Sequence, residues 1–135
     1  MSVITADFHT IDGTEAAEGV SGGRSVIADR PAGVAGGQGL GFNGGQLLAL
    51  AIGGCLCNDL RYVAHRTGET VGAFSVHVQV DIDDSGAVAD VRVEVDGSES
   101  REALAALVEK AAAGSTIVNA VKRGAPVTVD LADRA

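Results

Sequence analysis

Residues 43–68, NGGQLLALAIGGCLCNDLRYVAHRTG, constrain this chain more than any other stretch, because an apolar run of that length must bury itself against something. Asn43 is a favourable N-cap, Gln46 three residues on completes a capping box, and Gly68 stands where a left-handed residue closes a helix. One long helix is therefore expected. Leu47, Leu48, Leu50, Ala51 and Ile52 leave almost no polar face in its first two turns, while Arg61, His65 and Arg66 occur only in its last two. That pattern predicts a buried first half and an emerging second half. Gly53 and Gly54 each forfeit about 1 kcal/mol of helix propensity relative to alanine, a loss tolerated where another backbone or a ligand comes close. Ala49, Gly53 and Cys57, four apart, outline such a groove.

Both cysteines of the protein lie in this helix, and at i and i+2 they point about 200° apart. Cys55 and Cys57 cannot bridge one another without unwinding it, so both are read as reduced thiols. The rest of the core must come from Ala, Val, Leu and Ile, since only 3% of residues are aromatic and 19 are glycine. A chain so short of apolar volume is expected to complete its core against a second subunit. A net charge of −8 excludes nucleic acid and anionic membrane surfaces as partners. No apolar run free of glycine and charge reads as a membrane span, and the N-terminus lacks the layout of a signal peptide, so a cytoplasmic protein is expected.

Along the chain, Ser2–Thr10, Glu15–Ser21 and Arg24–Ala28 read as three short strands, with turns at Asp12-Gly13 and Gly22-Gly23. Residues 32–45 are too rich in glycine for regular structure and predict a flexible loop without a nucleotide fingerprint. After the long helix, Ala73–Asp83 and Ala87–Val95 alternate valines with polar residues and form a hairpin around Asp84-Ser85-Gly86. A helix over Glu99–Ala113, a short one over Thr116–Lys122 and a last strand over Val127–Leu131 complete a single α+β domain spanning residues 1–135.

The segment QLLALAIGGCLCNDLRYVAHRTG resembles the central helix of the OsmC/Ohr family of osmotically inducible and organic hydroperoxide resistance proteins. There an apolar run leads into a peroxidatic cysteine. GGRSVIADRPAGVAGGQGLGFNGG is similar to the strand and loop that enter that helix, and Ser115–Ala120, STIVNA, is similar to the family's C-P-x-S-N-A motif. The resemblance implies antiparallel sheets around a long central helix, in an intertwined homodimer with those helices inside. It places Cys55 at the peroxidatic position. Ser115 stands where the resolving cysteine would be, while Asn119 and Ala120 are retained. Gly45, with Gln46 beside it, stands where the family has a glutamate. The family's activating arginine comes from the N-terminal region, which makes Arg24 the candidate here, with Arg30 behind it.

Charge on the helix itself works against Cys55, since Asp59 four residues on opposes a negative sulfur. Cys57 has Arg61 four on and is a candidate second thiol. His9, His65 and His77 fall on separate elements, no zinc spacing occurs, and neither metal nor organic cofactor is expected. Two functions follow. In one, Cys55 reduces a small organic hydroperoxide and is itself reduced by an external thiol or by Cys57. In the other, an apolar dimer cleft lined by Gly53, Gly54, Gln46 and Ser115 holds a small hydrophobic ligand without turnover.

Overall fold

The computed structural model describes residues 2–133. The backbone gathers into two compact units, one reaching to Leu50 and the other beginning at Ala51. The long helix α1, Gly44–Thr67, starts in the first and continues into the second.

In the N-terminal unit, β1 (Asp7–Thr10), β2 (Ala17–Ser21) and β3 (Arg24–Ala28) form an antiparallel sheet in that order. The first strand is shorter than its alternation predicts, because pairing with β2 begins only at Asp7 opposite Val20. Gly22 and Gly23 both take positive φ, as a two-residue hairpin of this hand requires. The glycine-rich loop is tied down at one carboxylate, contrary to the expectation of a flexible connection. Asp29 accepts hydrogen bonds from the N–H groups of Leu40 at 3.0 Å, Gln38 at 3.1 Å and Arg30 at 2.8 Å, and pairs with the Arg30 guanidinium at 3.1 Å.

The Leu40 N–H is the largest influence holding the Asp29 carboxyl below its usual range; burial pushes the other way, and the remaining donors outweigh it. A carboxyl lowered on folding stabilises fully above the unfolded value, near pH 4, and that stability is lost as pH falls through the folded value. Protection of the Gln38 and Leu40 amides against exchange is therefore expected to fall below about pH 4. In Asp29→Asn it should already be low at pH 7 and show no acid step.

In the C-terminal unit, β4 (Phe74–Ile82) and β5 (Val88–Gly97) pair antiparallel, with Val76 opposite Val95, Val78 opposite Val93 and Val80 opposite Val91. The valines turn one half-buried face inward, as their alternation predicts. Next come α2 (Arg101–Gly114), capped by Ser100, and α3 (Thr116–Arg123), capped by Ser115. Leu60, Val63 and Ala64 of α1 pack with Val71 and with Leu107 and Ala111 of α2, and Phe74, Val76, Val95 and Val108 close around them.

Burial along α1 is the reverse of the expected one. Its buried residues are Ile52, Leu56, Leu60, Val63 and Ala64, a stripe at helical spacing that runs into the second half, whereas Leu50 is 52% exposed. By length and mean hydropathy, 1.4, this helix also meets the requirement for a membrane span, which its glycines and charges had spoken against.

The paired glycines differ in what surrounds them. A Cβ at Gly53 would lie 3.1 Å from Val78 Cγ2, whereas one at Gly54 meets nothing within 4 Å. Gly54→Ala is expected to stabilise the monomeric chain by up to about 1 kcal/mol in a urea titration, and Gly53→Ala to gain less or lose.

The last predicted strand does not form. Val127, Val129 and Leu131 are 84%, 90% and 88% exposed, and no strand among the described residues pairs with them. Alternation alone does not make a strand; it needs a neighbour to bond to.

Candidate thiol site

Cys55 sits in the middle of α1, where the helix repeat directs its side chain toward the junction between α2 and α3. That junction is Ser115, fully buried, extended at φ −70° and ψ 119°, and the N-cap of α3. Its Oγ accepts the Val118 N–H at 3.4 Å and lies 3.4 Å from Cys55 Sγ. Cys55 Sγ also donates to Asp59 Oδ2, one turn on, at 3.4 Å.

The hydrogen inventory fixes the direction of this chain of contacts. A thiol has one hydrogen, and the Asp59 carboxylate takes it; the Ser115 hydroxyl, whose lone pair already serves Val118, therefore donates to the sulfur. Sulfur is held between a hydroxyl donor and a carboxylate acceptor. Such an arrangement can support a charge on sulfur from the serine side and accept a proton on the aspartate side.

The other predicted residues lie elsewhere. Cys57 is half-buried and free, and the cation expected beside it is engaged with other groups. The Arg61 guanidinium donates to the carbonyls of Val71 and Gly72 and lies over the Phe74 ring, 4.7 Å from its centroid. Its length carries it past the cysteine to the chain leaving α1. Arg24 belongs to the N-terminal unit, where its guanidinium donates to the Gly22 carbonyl at 3.4 Å; Arg30 is held there by Asp29. Gln46 completes the capping box, its Oε1 accepting from the Asn43 N–H at 3.0 Å while Asn43 Oδ1 accepts from the Gln46 N–H at 2.9 Å.

Two grooves in the C-terminal unit have residues within one helical turn of Cys55 in their walls, Ile52 in one and Asp59 in the other. One, of about 400 Å³, is lined by Ile52, Val91, Val93, Val118 and Val121 with Lys122 and Asp90 at its edge. Gly53, Gly54 and Ser115, expected to line a cleft, are not among its walls; the expected cleft was one between two chains. The other, of about 480 Å³, has Asp59, Tyr62, His65, Arg66, Lys110 and Thr116 in its walls. None of these residues is assigned to a shared site from sequence alone; the i, i+3, i+7 spacing of Asp59, Tyr62 and Arg66 was the available signal for a common face.

Residues 36–130 match the family described as OsmC-like protein. The chain belongs to the OsmC-like family. Solved structures agree in fold. An OsmC-like protein from Mycoplasma pneumoniae is 12% identical over 90% of this chain and 88% of that one, with a TM-score of 0.69. An organic hydroperoxide resistance protein OsmC from Legionella pneumophila is 24% identical over 92% and 91%, with a TM-score of 0.61. One from Elizabethkingia anophelis, with thiocyanate bound, is 23% identical over 92% and 90%, at 0.62. These likenesses establish the α+β OsmC-like fold expected from the sequence, two antiparallel sheets and a long helix. No curated protein sequence matches the chain.

Proposed function

We propose that this OsmC-like protein is a homodimeric thiol peroxidase that reduces small organic hydroperoxides with one cysteine, Cys55, and is returned to the thiol by an external thiol. The observation that carries this reading is the 3.4 Å contact between Cys55 Sγ and Ser115 Oγ. By the motif resemblance those are the positions of the family's paired cysteines, and here they touch across 60 residues of sequence.

The Cys55 sulfur attacks the outer oxygen of the hydroperoxide, the O–O bond breaks, and an S–O bond forms to give the sulfenic acid. The thiol proton passes through Asp59 to the departing alkoxide, which leaves as an alcohol. With serine at position 115 no internal disulfide closes. An external thiol condenses with the sulfenic acid, releasing water, and a second thiol exchanges with that mixed disulfide to restore Cys55. Arg24 is the guanidinium proposed to activate the sulfur, from the family's N-terminal arginine; its one side-chain hydrogen bond among the described residues is the long one to Gly22, whereas Arg30 pairs with Asp29 and donates to the Glu15 carbonyl. A cytoplasmic location, where thiols stay reduced, suits this cycle.

The homodimer is supported by what one chain leaves uncovered. Val127, Val129, Leu131 and Leu50 are exposed apolar side chains, and β4 with β5 is a sheet of only two strands. Light scattering is expected to find twice the 13.5 kDa chain mass.

A second reading, an OsmC-like module holding a hydrophobic ligand without turnover, is favoured by the Asp59 carboxylate against the thiol and by the apolar groove beside α3. One measurement separates the two. With cumene hydroperoxide and dithiothreitol, the wild type is expected to consume peroxide, and Cys55→Ser to lose at least about 99% of that rate. Wild-type consumption no faster than buffer leaves the binding reading.

A further inference from the structure

We infer that the groove walled by Arg66 and Lys110 is a binding site for a small anionic thiol, the external reductant of Cys55. For the step it serves, this rests on the one-cysteine reading; the groove and its charge do not.

The groove is formed where one face of α1, carrying Asp59, Tyr62, Val63, His65 and Arg66, meets Lys110, Ala111 and Gly114 of α2 and Thr116 at the start of α3. At about 480 Å³ it has the size of a small-molecule site. Its charge is unusual for this molecule. The protein carries −8 in total, yet neither Arg66 nor Lys110 is in an ion pair among the described residues; the pairs that form there are Arg30 with Asp29 and Arg92 with Asp90. The one carboxylate in the wall, Asp59, is already bonded to the Cys55 thiol. Two cations and a histidine thus share the walls with a single carboxylate that pairs with neither cation, so the lining is net positive in an acidic protein.

The same carboxylate ties this space to the sulfur. Asp59 lines the groove and touches Sγ, and Thr116 follows directly on Ser115, the other neighbour of Sγ. A thiol held by its carboxylates against Arg66 and Lys110 would direct its sulfur toward Cys55. Ser115 supplies no second sulfur, and Cys57 cannot reach Cys55 without unwinding the helix, so in this reading the attacking thiol arrives from outside. The bonds balance as above: S–S forms as water leaves the sulfenic acid, and a second thiol carries away the first as a disulfide. The apolar groove lined by Ile52 and the β5 valines has one lysine and one carboxylate among its walls, Lys122 and Asp90, and so suits the hydroperoxide rather than the reductant.

The test uses disulfide probes and needs no peroxide. In a Cys57→Ser background, Cys55 is reacted with the dianionic 5,5′-dithiobis(2-nitrobenzoate) and with the neutral 4,4′-dithiodipyridine, each rate divided by that of a free cysteine peptide. Net charge alone repels the dianion. The expected result is the opposite, a preference for the dianion of about tenfold at low salt. It should vanish by about 0.5 M salt and in Arg66→Gln/Lys110→Gln, two exposed positions whose change leaves the thermal melt in place. No preference in the parent, or one that survives the double substitution, overturns the inference. Peroxide consumption with mercaptosuccinate and with 2-mercaptoethanol then judges the reading beneath it. A charge preference without any Cys55-dependent consumption keeps the groove and removes the peroxidase.

Discussion

Ser115→Cys is expected to convert the protein to one that closes an internal disulfide with Cys55 on addition of a single equivalent of organic hydroperoxide. The Ser115 oxygen already lies 3.4 Å from the sulfur, so a sulfur in its place needs a modest further approach to reach the S–S length of about 2.05 Å. Cross-linking positions 60 residues apart removes loop entropy worth about 4 kcal/mol in the chain-entropy account. Against this stands the α3 N-cap, whose loss costs about 1 kcal/mol. A net gain of about 3 kcal/mol is expected in the oxidised form, read as a rise in the denaturant midpoint that dithiothreitol abolishes. Thiol titration should fall from three sulfurs to one, with a mass loss of two hydrogens. Cys55 passing instead to sulfinic acid, with the new thiol still titratable, would show that the two positions do not meet in solution.

Leu107→Ala should cost about 3 kcal/mol, as truncating a fully buried leucine does. Leu107 is 1% exposed and packs in the cluster of Leu60, Val63, Ala64 and Ala111, so the removed atoms leave a cavity rather than a surface dent. The melting temperature should drop by about 10 °C. This core also holds α2 against α1 and, through α2, sets where Ser115 stands relative to Cys55. At temperatures where the variant is still folded, the alkylation rate of Cys55 is therefore expected to change more than that of Cys57, which does not touch Ser115. A drop smaller than about 1 kcal/mol would mean that α2 is not anchored by this contact.

Local signals were legible in proportion to how local the forces are. The Asn43 and Gln46 capping box and the β4–β5 hairpin depend on neighbours a few residues away, and both stand as read. The strand at Val127–Leu131 needs a partner that sequence does not name, and among the described residues it finds none. The direction of α1 burial depends on where α2 lands, which periodicity cannot tell. Arg61 went to the Val71 and Gly72 carbonyls because the chain turns back after Gly68, a geometry invisible in an i, i+4 count. The meeting of Ser115 with Cys55 was suggested by a motif resemblance and never by spacing, since nothing local links positions that far apart. The Asp59 contact, by contrast, is one helical turn and could be written down at once.

One oxygen atom in this protein has two duties: it closes the opening turn of α3 at Val118 and it touches the sulfur of Cys55. Whatever grows on that sulfur must compete for the same hydroxyl. The amide resonance of Val118 thus serves as a built-in, label-free gauge of the state of a side chain 63 positions earlier in the sequence, and a spectroscopist can follow the chemistry without attaching a dye.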